Sequence, residues 1–401
     1  MNILIVHEVS YRKKVVYEYQ EFAEMLASRG HSVNVIDFEE HGDVHKEPEN
    51  VSRTGNGTVE LASIPCSSLP IARYITAKAN YGKILERTLD RKNIEVVFLY
   101  SVFINGTSTV TICKRKGIPV VYRVLDAYHK MRTNPIVSTI LRTGEQYIYR
   151  NATAISVTNQ AMSKYVDSIA GVKRKNAIGI LQHGVDEYLF QPRKRDTVIA
   201  QELGIFEEDR VAVFVGTLFE FCGLDIVIKN MGTIKTQVPT AKIIIVGDGA
   251  MIHELKELAK ESNFQDCIKI IGRREYKDVP RYLSLANATI NPFRINDITR
   301  DIVPIKTLQY LACGVPLVSA PLTEVMRIFP TILSGATYVD IQDGKAFASA
   351  IATALEDSEQ SQVRGLLARN IILDEFTISD TISNLENVLY TQISNARTAK
   401  K

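Results

Sequence analysis

TINPFRINDITRDIVPIKTLQYLACGVPLVSAP, Thr289 to Pro321, reads as a buried strand over Ala288–Asn291, a polar loop, a helix over about Ile305–Ala312 stopped by Cys313-Gly314, and a second apolar strand over Leu317–Ala320. Pro304 falls where proline is tolerated, in the first helical turn. The backbone N–H groups around Val303–Thr307 then point out of the helix start, where no intrahelical acceptor exists. Such an end attracts anions. Lys306 in that first turn is unfavourable for the helix unless something negative sits opposite it, which points to a phosphate.

The same alternation extends outward in both directions. The first half reads as strand Asn2–His7, helix Val15–Arg29 ending at Gly30, and strand Ser32–Phe38. Residues 39–70 are polar, turn-rich and poor in periodicity. Ile71–Lys92 reads as a basic amphipathic helix and Glu95–Ser101 as a strand. Helix Thr107–Lys116, strand Pro119–Val124, helix Pro135–Arg150, strand Ala154–Val157 and helix Asn159–Ser168 follow. Ile178–Asp186 (IGILQHGVD) closes the half, followed by the charged stretch Glu187–Thr197. The second half reads as strand Val211–Val215, helix Leu224–Thr236, strand Ala241–Val246, helix Met251–Glu261, strand Ile268–Ile271 and helix Val279–Ala286, then the stretch quoted above. A last helix spans about Ile378–Ile393. Repeated strand–helix units imply parallel sheets covered on both faces.

In such sheets ligands bind beyond the carboxyl ends of the strands. Gly216-Thr217, Gly247-Asp248-Gly249 and Gly272-Arg273 each follow a predicted strand of the second half, where a glycine lets the backbone approach a ligand. In the first half the strand ending at Asp126 is followed by His129, and the first strand runs into His7-Glu8-Val9-Ser10-Tyr11-Arg12-Lys13-Lys14, a basic loop suited to an anionic partner.

These features resemble the retaining glycosyltransferases with the GT-B fold, family 4. Asp301 and Gln309, with seven residues between them, stand where that family carries two glutamates. Leu311-Ala312-Cys313-Gly314-Val315-Pro316-Leu317-Val318 fits its Gly-x-Pro-x-Val tail. Pro304-x-Lys306-x-x-Gln309-Tyr310 is similar to the P-x-K-x-x-E-Y version, and Gln182-His183-Gly184-Val185-Asp186 to the signature before the interdomain linker. The resemblance implies an α/β chain of two Rossmann-like doubly wound domains facing across a cleft. Residues 1–188 form the acceptor domain, 189–376 the nucleotide-sugar donor domain, and a helix from about 377–401 crosses back to the first. His183 is then architectural.

By the same resemblance the donor site comprises Gly216, Thr217, Gly247, Gly249, Arg273, Arg294, Arg300, Asp301, Ile302, Val303, Lys306 and Gln309. Asp301 would bind hydroxyls of the transferred sugar and Gln309 the ribose. Family members read G-R-L and then K-G after the first strand of the second domain. Here Gly216-Thr217-Leu218-Phe219-Glu220-Phe221-Cys222-Gly223 lacks both cations, and Lys306, helped by Arg294 and Arg300, is the natural replacement. Relatives read H-D at the end of the strand that here ends in Leu125-Asp126, so His129 is the candidate for the missing imidazole. Asp126, His129, Asp301 and Lys306 are the catalytic candidates; Tyr11, Arg12, Lys13 and Lys14 the acceptor-binding ones.

Composition bounds the alternatives. With 401 residues, 45% of them hydrophobic, the chain can bury two substantial cores. No apolar run approaches the length of a membrane span, and MNILIVHEVS lacks the features of a signal peptide. Five cysteines without a C-x-x-C spacing argue against zinc or a disulfide framework and for a reducing cytoplasm. Net charge is +3 overall, but residues 1–188 carry 24 Lys+Arg against 19 Asp+Glu, +5, and the remainder 24 against 26, −2. The first half therefore suits an anionic lipid surface or a lipid-phosphate acceptor. Nucleic acid is disfavoured, because no basic stripe interleaved with aromatics exists. No D-x-D triplet follows a strand, and no Rossmann G-x-G-x-x-G, P-loop or G-x-S-x-G is present.

The expectation is a cytoplasmic enzyme, peripheral at the inner membrane face, that needs no metal or cofactor. It moves a sugar from a UDP- or GDP-type donor to a glycan or lipid-linked acceptor with retained configuration. The competing readings are a catalytically inactive scaffold that binds a nucleotide sugar and a nucleotide-sugar epimerase of the same fold.

Overall fold

The computed structural model describes residues 1–38, 47–67, 69–103, 105–171, 178–297, 299–356 and 358–399. They form two compact units, Met1–His183 with Thr381–Lys401, and Gly184–Asp380.

Unit 1 contains strands β1 (Asn2–Val6), β2 (Ser32–Asp37), β3 (Glu49–Val51), β4 (Val59–Ser63), β5 (Val96–Leu99), β6 (Val120–Val124), β7 (Ala154–Val157) and β8 (Ile178–Ile180). Between them lie helices α1 (Glu18–Ser28), α2 (Pro70–Arg91), α3 (Gly106–Lys116), α4 (Pro135–Asn151) and α5 (Gln160–Ala170). The sheet order is β3-β4-β2-β1-β5-β6-β7-β8. Every neighbouring pair is parallel except β3 with β4. Interior strands such as Val96–Leu99 and Val120–Val124 are buried along their whole length, because helices cover both faces of a parallel sheet. The polar, turn-rich stretch 39–70, poor in periodicity, contains β3 and β4; residues 39–46 and 68 lie outside the described residues. Of its described residues only Val59, Leu61 and Ile64 are buried, and the alternation Val59–Leu61 is too short a pattern to register as a strand.

Among the described residues two fully buried positions of the sheet are charged, Asp37 at the end of β2 and Arg123 within β6. Arg123 of β6 has no exposed surface and donates through Nε and Nη2 to the Glu18 carboxylate at 2.7 and 2.6 Å. It also donates to Ser156 Oγ at 3.1 Å, and the Tyr100 hydroxyl donates to Glu18 at 3.1 Å. Burial by itself would raise the Glu18 pKa; the Arg123 charge and its hydrogen bonds outweigh that and hold it below the usual carboxylate value.

Unit 2 contains β9 (Arg210–Val215), β10 (Ala241–Val246), β11 (Ile268–Gly272), β12 (Ala288–Asn291), β13 (Leu317–Ser319) and β14 (Ala336–Tyr338), in the order β11-β10-β9-β12-β13-β14, all parallel. Its helices are α6 (Thr197–Leu203), α7 (Leu224–Lys229), α8 (Met231–Gln237), α9 (Ile252–Glu261), α10 (Val279–Leu283), α11 (Ile305–Ala312), α12 (Thr323–Ile328), α13 (Thr331–Ser334), α14 (Gly344–Glu356) and α15 (Ser358–Glu375), with α16 (Ile378–Thr398) following. The single helix expected over Leu224–Thr236 is two, α7 and α8. At their junction the Asn230 side chain donates to the Ile226 carbonyl at 2.9 Å and caps the first, the competition with the backbone that makes asparagine a helix breaker.

The two connecting segments run side by side. Val185 pairs with Thr377, Val185 N–H donates to Phe376 and Ile378 N–H to Val185, both at 2.8 Å. A Cβ on Gly184 would lie 2.1 Å from the Thr377 carbonyl oxygen. Any side chain there would push these segments apart, which explains the glycine of the H-G-V-D signature. His183 is held by Glu21 at 2.9 Å and lies edge-on to Phe22, the architectural role expected of it.

Candidate active site

The strand order of unit 2 reverses between β9 and β12, the switch point at which open α/β sheets bind ligands. β9 ends at Gly216 and β10 at Gly247, with φ of 149° and 153°. A Cβ on Gly247 would sit 1.9 Å from the Gly216 carbonyl oxygen. The two turns are zipped together by Gly216 N–H to Val246 at 2.9 Å, Leu218 N–H to Asp248 at 3.0 Å and Gly247 N–H to Gly272 at 2.9 Å. A side chain at Gly247 would unzip them, whereas one at Gly216 would displace the end of the Lys306 side chain.

α11 approaches this floor from the β12 side. Its first residue is Ile305, so Pro304 is the residue before the helix rather than part of its first turn. Proline fixes φ but leaves ψ free, and here ψ is extended at 126°. The Pro304 carbonyl instead accepts from Thr307 N–H at 2.9 Å and Thr307 Oγ1 at 2.6 Å. Among the described residues nothing accepts from the N–H groups of Ile302, Val303, Ile305 or Lys306, as the geometry of a helix start requires.

The Lys306 side chain runs from this helix start to Gly216. A Cβ on Gly216 would meet Nζ at 2.7 Å. The amine stands 3.9 Å from the centroid of Phe214 and 4.7 Å from that of Phe293, and no described residue gives it a carboxylate or a hydrogen bond. Burial lowers its pKa to about 8, with the nearby Cys222 sulfur acting in the other direction. A cation held among aromatic rings, beside unclaimed amides and without a counter-charge, is a site prepared for an anion.

Tyr310, quoted above only as part of a motif, fixes this arrangement. Its hydroxyl accepts from Val215 N–H at 2.6 Å and donates to the Val215 carbonyl at 3.0 Å, pinning α11 to the last residue of β9. Tyr310→Phe leaves both backbone groups unpaired, which costs about 1–3 kcal/mol. We expect the diphosphate of a nucleotide to bind several-fold more weakly in this variant while the bare nucleoside binds as before. Equal loss for both ligands in calorimetric titration would mean general destabilisation instead.

The other donor-site candidates divide. Gln309 donates through Nε2 to the Tyr276 hydroxyl at 3.3 Å, leaving its carbonyl oxygen for a ligand hydroxyl. Thr217 and Asp301 are half-buried beside the same floor and helix start, and Arg273 is exposed just past β11. Arg300 is exposed, 3.9 Å from Asp297. Arg294 is not available as a phosphate helper. Its guanidinium is paired with both Asp225 oxygens at 2.9 and 2.8 Å and with the Glu220 carbonyl, so its charge is spent on tying down the turn 220–225.

In unit 1, Asp126 follows β6, and burial, then the Glu18 charge, raises its pKa. His129 Nδ1 lies 2.7 Å from Glu145 Oε2 and 2.9 Å from the Tyr165 hydroxyl, with the ring stacked on Tyr165. A carboxylate can only accept, so Nδ1 carries the proton and Nε2 is the basic nitrogen. Glu145 and Tyr165 escaped the sequence reading because their partner lies one helix away.

The basic loop after β1 differs from expectation. Tyr11 is fully buried; its N–H donates to Asp37 at 2.7 Å and its hydroxyl to Glu24 at 3.0 Å, which removes it as an acceptor contact. Arg12 is paired with Glu49. His7 is stacked on Tyr100, and burial, then Lys14, pushes its pKa down to about 3. Lys13 and Lys14 alone of the four acceptor candidates are exposed. Aromatic packing of His7, Tyr11, Tyr19 and Tyr100 decides this, a contact set no local pattern announces.

Residues 17–178 match the glycosyl transferase 4-like domain and residues 195–370 match glycosyl transferases group 1. The chain belongs to the GT-B glycosyltransferases of the family 4 type. It is 23% identical over 272 residues to N-acetyl-alpha-D-glucosaminyl L-malate synthase of Bacillus anthracis, covering 67% of this chain and 66% of that protein. It is 22% identical to the GDP-mannose-dependent alpha-(1-6)-phosphatidylinositol monomannoside mannosyltransferase of Mycolicibacterium smegmatis, covering 63% and 66%. In both cases the match spans just under two thirds of the relative's length. Sucrose-phosphate synthase of Thermosynechococcus elongatus superposes with a TM-score of 0.78 at 15% identity, covering 98% of this chain and 99% of that one. Anabaena HepE in complex with UDP-glucose does so with a TM-score of 0.73 at 16% identity, covering 98% and 100%. At these identities the likeness establishes the fold.

Proposed function

We propose that the chain transfers a sugar from a nucleoside diphosphate sugar to an acceptor, with retained configuration and without a metal. The observation that carries this is the Lys306 amine, poised without a counter-charge over Phe214 and against Gly216. The donor diphosphate occupies this floor, its negative charge met by Lys306 and by the amides of Ile302, Val303, Ile305 and Lys306. Asp301 takes sugar hydroxyls, Gln309 the ribose and Arg273 the base side. Charge grows on the leaving diphosphate in the transition state, so fixed donors there accelerate the reaction more than they tighten substrate binding. A leaving-group oxygen accepts the acceptor's proton on the same face, which needs no protein nucleophile.

Unit 1 serves the acceptor, with Asp126 and the Glu145-held His129 orienting its hydroxyls and Lys13 and Lys14 favouring an anionic or lipid-linked molecule. The enzyme works in the cytoplasm. Relatives named for GDP-mannose and solved with UDP-glucose keep both bases open. The inactive-scaffold reading rests on the missing cations after β9 and on the Asp301/Gln309 pair in place of two glutamates; Lys306 supplies a cation at the same strand end, and Gln309 keeps a carbonyl oxygen that can accept from a hydroxyl.

Incubation of the protein with UDP- and GDP-sugars and a lipid extract, with product masses and anomeric configuration read by mass spectrometry and NMR, tests this. We expect a glycosylated product of unchanged configuration, at the same rate with EDTA present. Isomerised donor without transfer would identify an epimerase, unchanged donor a scaffold, and loss of activity in EDTA would end the metal-free mechanism.

A further inference from the structure

The parallel sheet of unit 1 places the starts of α2, α3 and α4 at the carboxyl edge of their preceding strands. α3 lies between the other two: Thr111 of α3 meets the Tyr147 hydroxyl of α4 at 2.8 Å, and Tyr81 of α2 meets Thr109 of α3 at 2.6 Å. Large apolar side chains protrude along this edge. Leu69 (65% exposed) and Ile75 (65%) flank the first turns of α2, Phe103 (37%) precedes α3, and Met131 (48%), Ile136 (71%) and Ile140 (51%) surround the start of α4. The Tyr74 ring joins the groups, 6.2 Å from Phe103 and 5.7 Å from Phe38. On α4 the core side is taken by Leu141, Glu145 and Ile148, so Ile136 and Ile140, one turn apart, form a separate outward stripe.

The charge pattern is one-sided. No acidic residue occurs from Leu61 to Leu85, and from Val96 to Gly144 Asp126 is the sole one. Arg73, Lys78, Lys130, Arg132 and Arg142 share the edge, and the first turns of α2, α3 and α4 contain no Asp or Glu. A carboxylate from outside these stretches reaches the edge, Glu8, whose Oε1 accepts from the Val102 and Phe103 N–H groups at 3.3 and 3.2 Å. Exposed apolar groups gathered in one place mark an interaction site, and apolar knobs set in a mainly cationic rim match the interface of an anionic bilayer, tails for the knobs and head groups for the cations.

We infer that the edge formed by the starts of α2, α3 and α4 docks on an anionic lipid bilayer by inserting Leu69, Ile75, Phe103, Ile136 and Ile140. This rests on the reading of unit 1 as the acceptor side and extends it: attachment is through a defined apolar surface, and the loop Arg12–Lys14 is not its anchor. Such binding survives salt that would abolish a purely electrostatic contact, because the apolar part is not screened.

Flotation of the full chain with vesicles of phosphatidylglycerol and phosphatidylcholine, and of phosphatidylcholine alone, tests the inference. Wild type should float with both vesicles, more fully with the anionic ones, and raising NaCl from about 0.1 to about 0.5 M should remove that difference while leaving the binding common to both. The Ile136→Asp, Ile140→Asp double variant should lose about tenfold or more in vesicle affinity. Phe206→Asp, at an exposed apolar residue of unit 2, should bind as wild type. UDP and GDP titrations and melting curves of each protein keep the outcomes separate: unaltered nucleotide binding with lost flotation is the expected result. A wild type that binds nucleotide but no vesicle, or a double variant that floats as wild type, overturns the surface. Vesicle binding without nucleotide binding removes the transferase reading and leaves the surface standing. A dimer in sedimentation velocity that the double variant dissolves, with no flotation, would assign the edge to a second copy and refute the lipid partner.

Discussion

Lys306→Met is expected to weaken UDP or GDP binding by about 1.5–3 kcal/mol, roughly ten- to over a hundredfold, because it removes a charge-assisted contact to phosphate. Uridine and guanosine should bind as they do to wild type. Methionine keeps the aliphatic stem between Phe214 and Phe293, so packing is preserved and only the charge goes. Turnover should fall at least as far as affinity, since the diphosphate gains charge as it leaves. Calorimetric titration with the four ligands decides it. A variant that binds the diphosphates as wild type does would place the cation elsewhere, with Arg300 next to test.

The same lysine predicts a pH dependence. Its free-state pKa of about 8 means the ammonium is largely present at neutral pH and is lost as pH rises through 8. A bound diphosphate stabilises the charged form and raises that pKa, so binding takes up a proton in the window above about 8. Diphosphate affinity should therefore decline from pH 8 upward in wild type. In Lys306→Met the slope should be absent; an identical slope in both proteins would show that some other group titrates.

The largest expected stability effect lies in unit 1. Arg123→Met should cost about 3–5 kcal/mol, because it leaves the buried Glu18 carboxylate without its bidentate partner. At 2–4 °C per kcal/mol for a unit of this size, the melting transition should drop by about 6–20 °C. Adding Glu18→Gln should restore a large part, since the uncompensated charge is then gone. The pH sign is defined as well. In wild type the Glu18 pKa is held below its unfolded value, so the stabilisation is present above the ordinary carboxylate range, about pH 4, and is lost as pH falls through the folded value. Without Arg123, burial is opposed only by the smaller effects of His183 and the Tyr100 hydroxyl, so the Glu18 pKa should rise and the gap between variant and wild type should narrow on acidification. A melting temperature within 2 °C of wild type at neutral pH would mean that Glu18 finds another partner.

The alternation of apolar strand-length runs with helical periods determined the two parallel α/β units, because a strand buried on both faces must be apolar throughout and the residues that stop each element are local. The strand-end glycines and the Pro304-x-Lys306-x-x-Gln309-Tyr310 segment were legible for the same reason: a close backbone approach and a helix start are written in a few consecutive residues. What the sequence left open were relations between residues far apart in the chain. Whether Arg294 was free or paired depended on Asp225, and the hydroxyl of Tyr310 mattered only once α11 lay against β9. Tyr11 looked like part of a basic surface loop until Asp37 and Glu24 drew it inside. β3 and β4 owe their existence to the neighbour they pair with, not to their own composition. Long-range pairing of polar groups is decided by which partner removes the desolvation cost, and that partner is found only when the chain is folded.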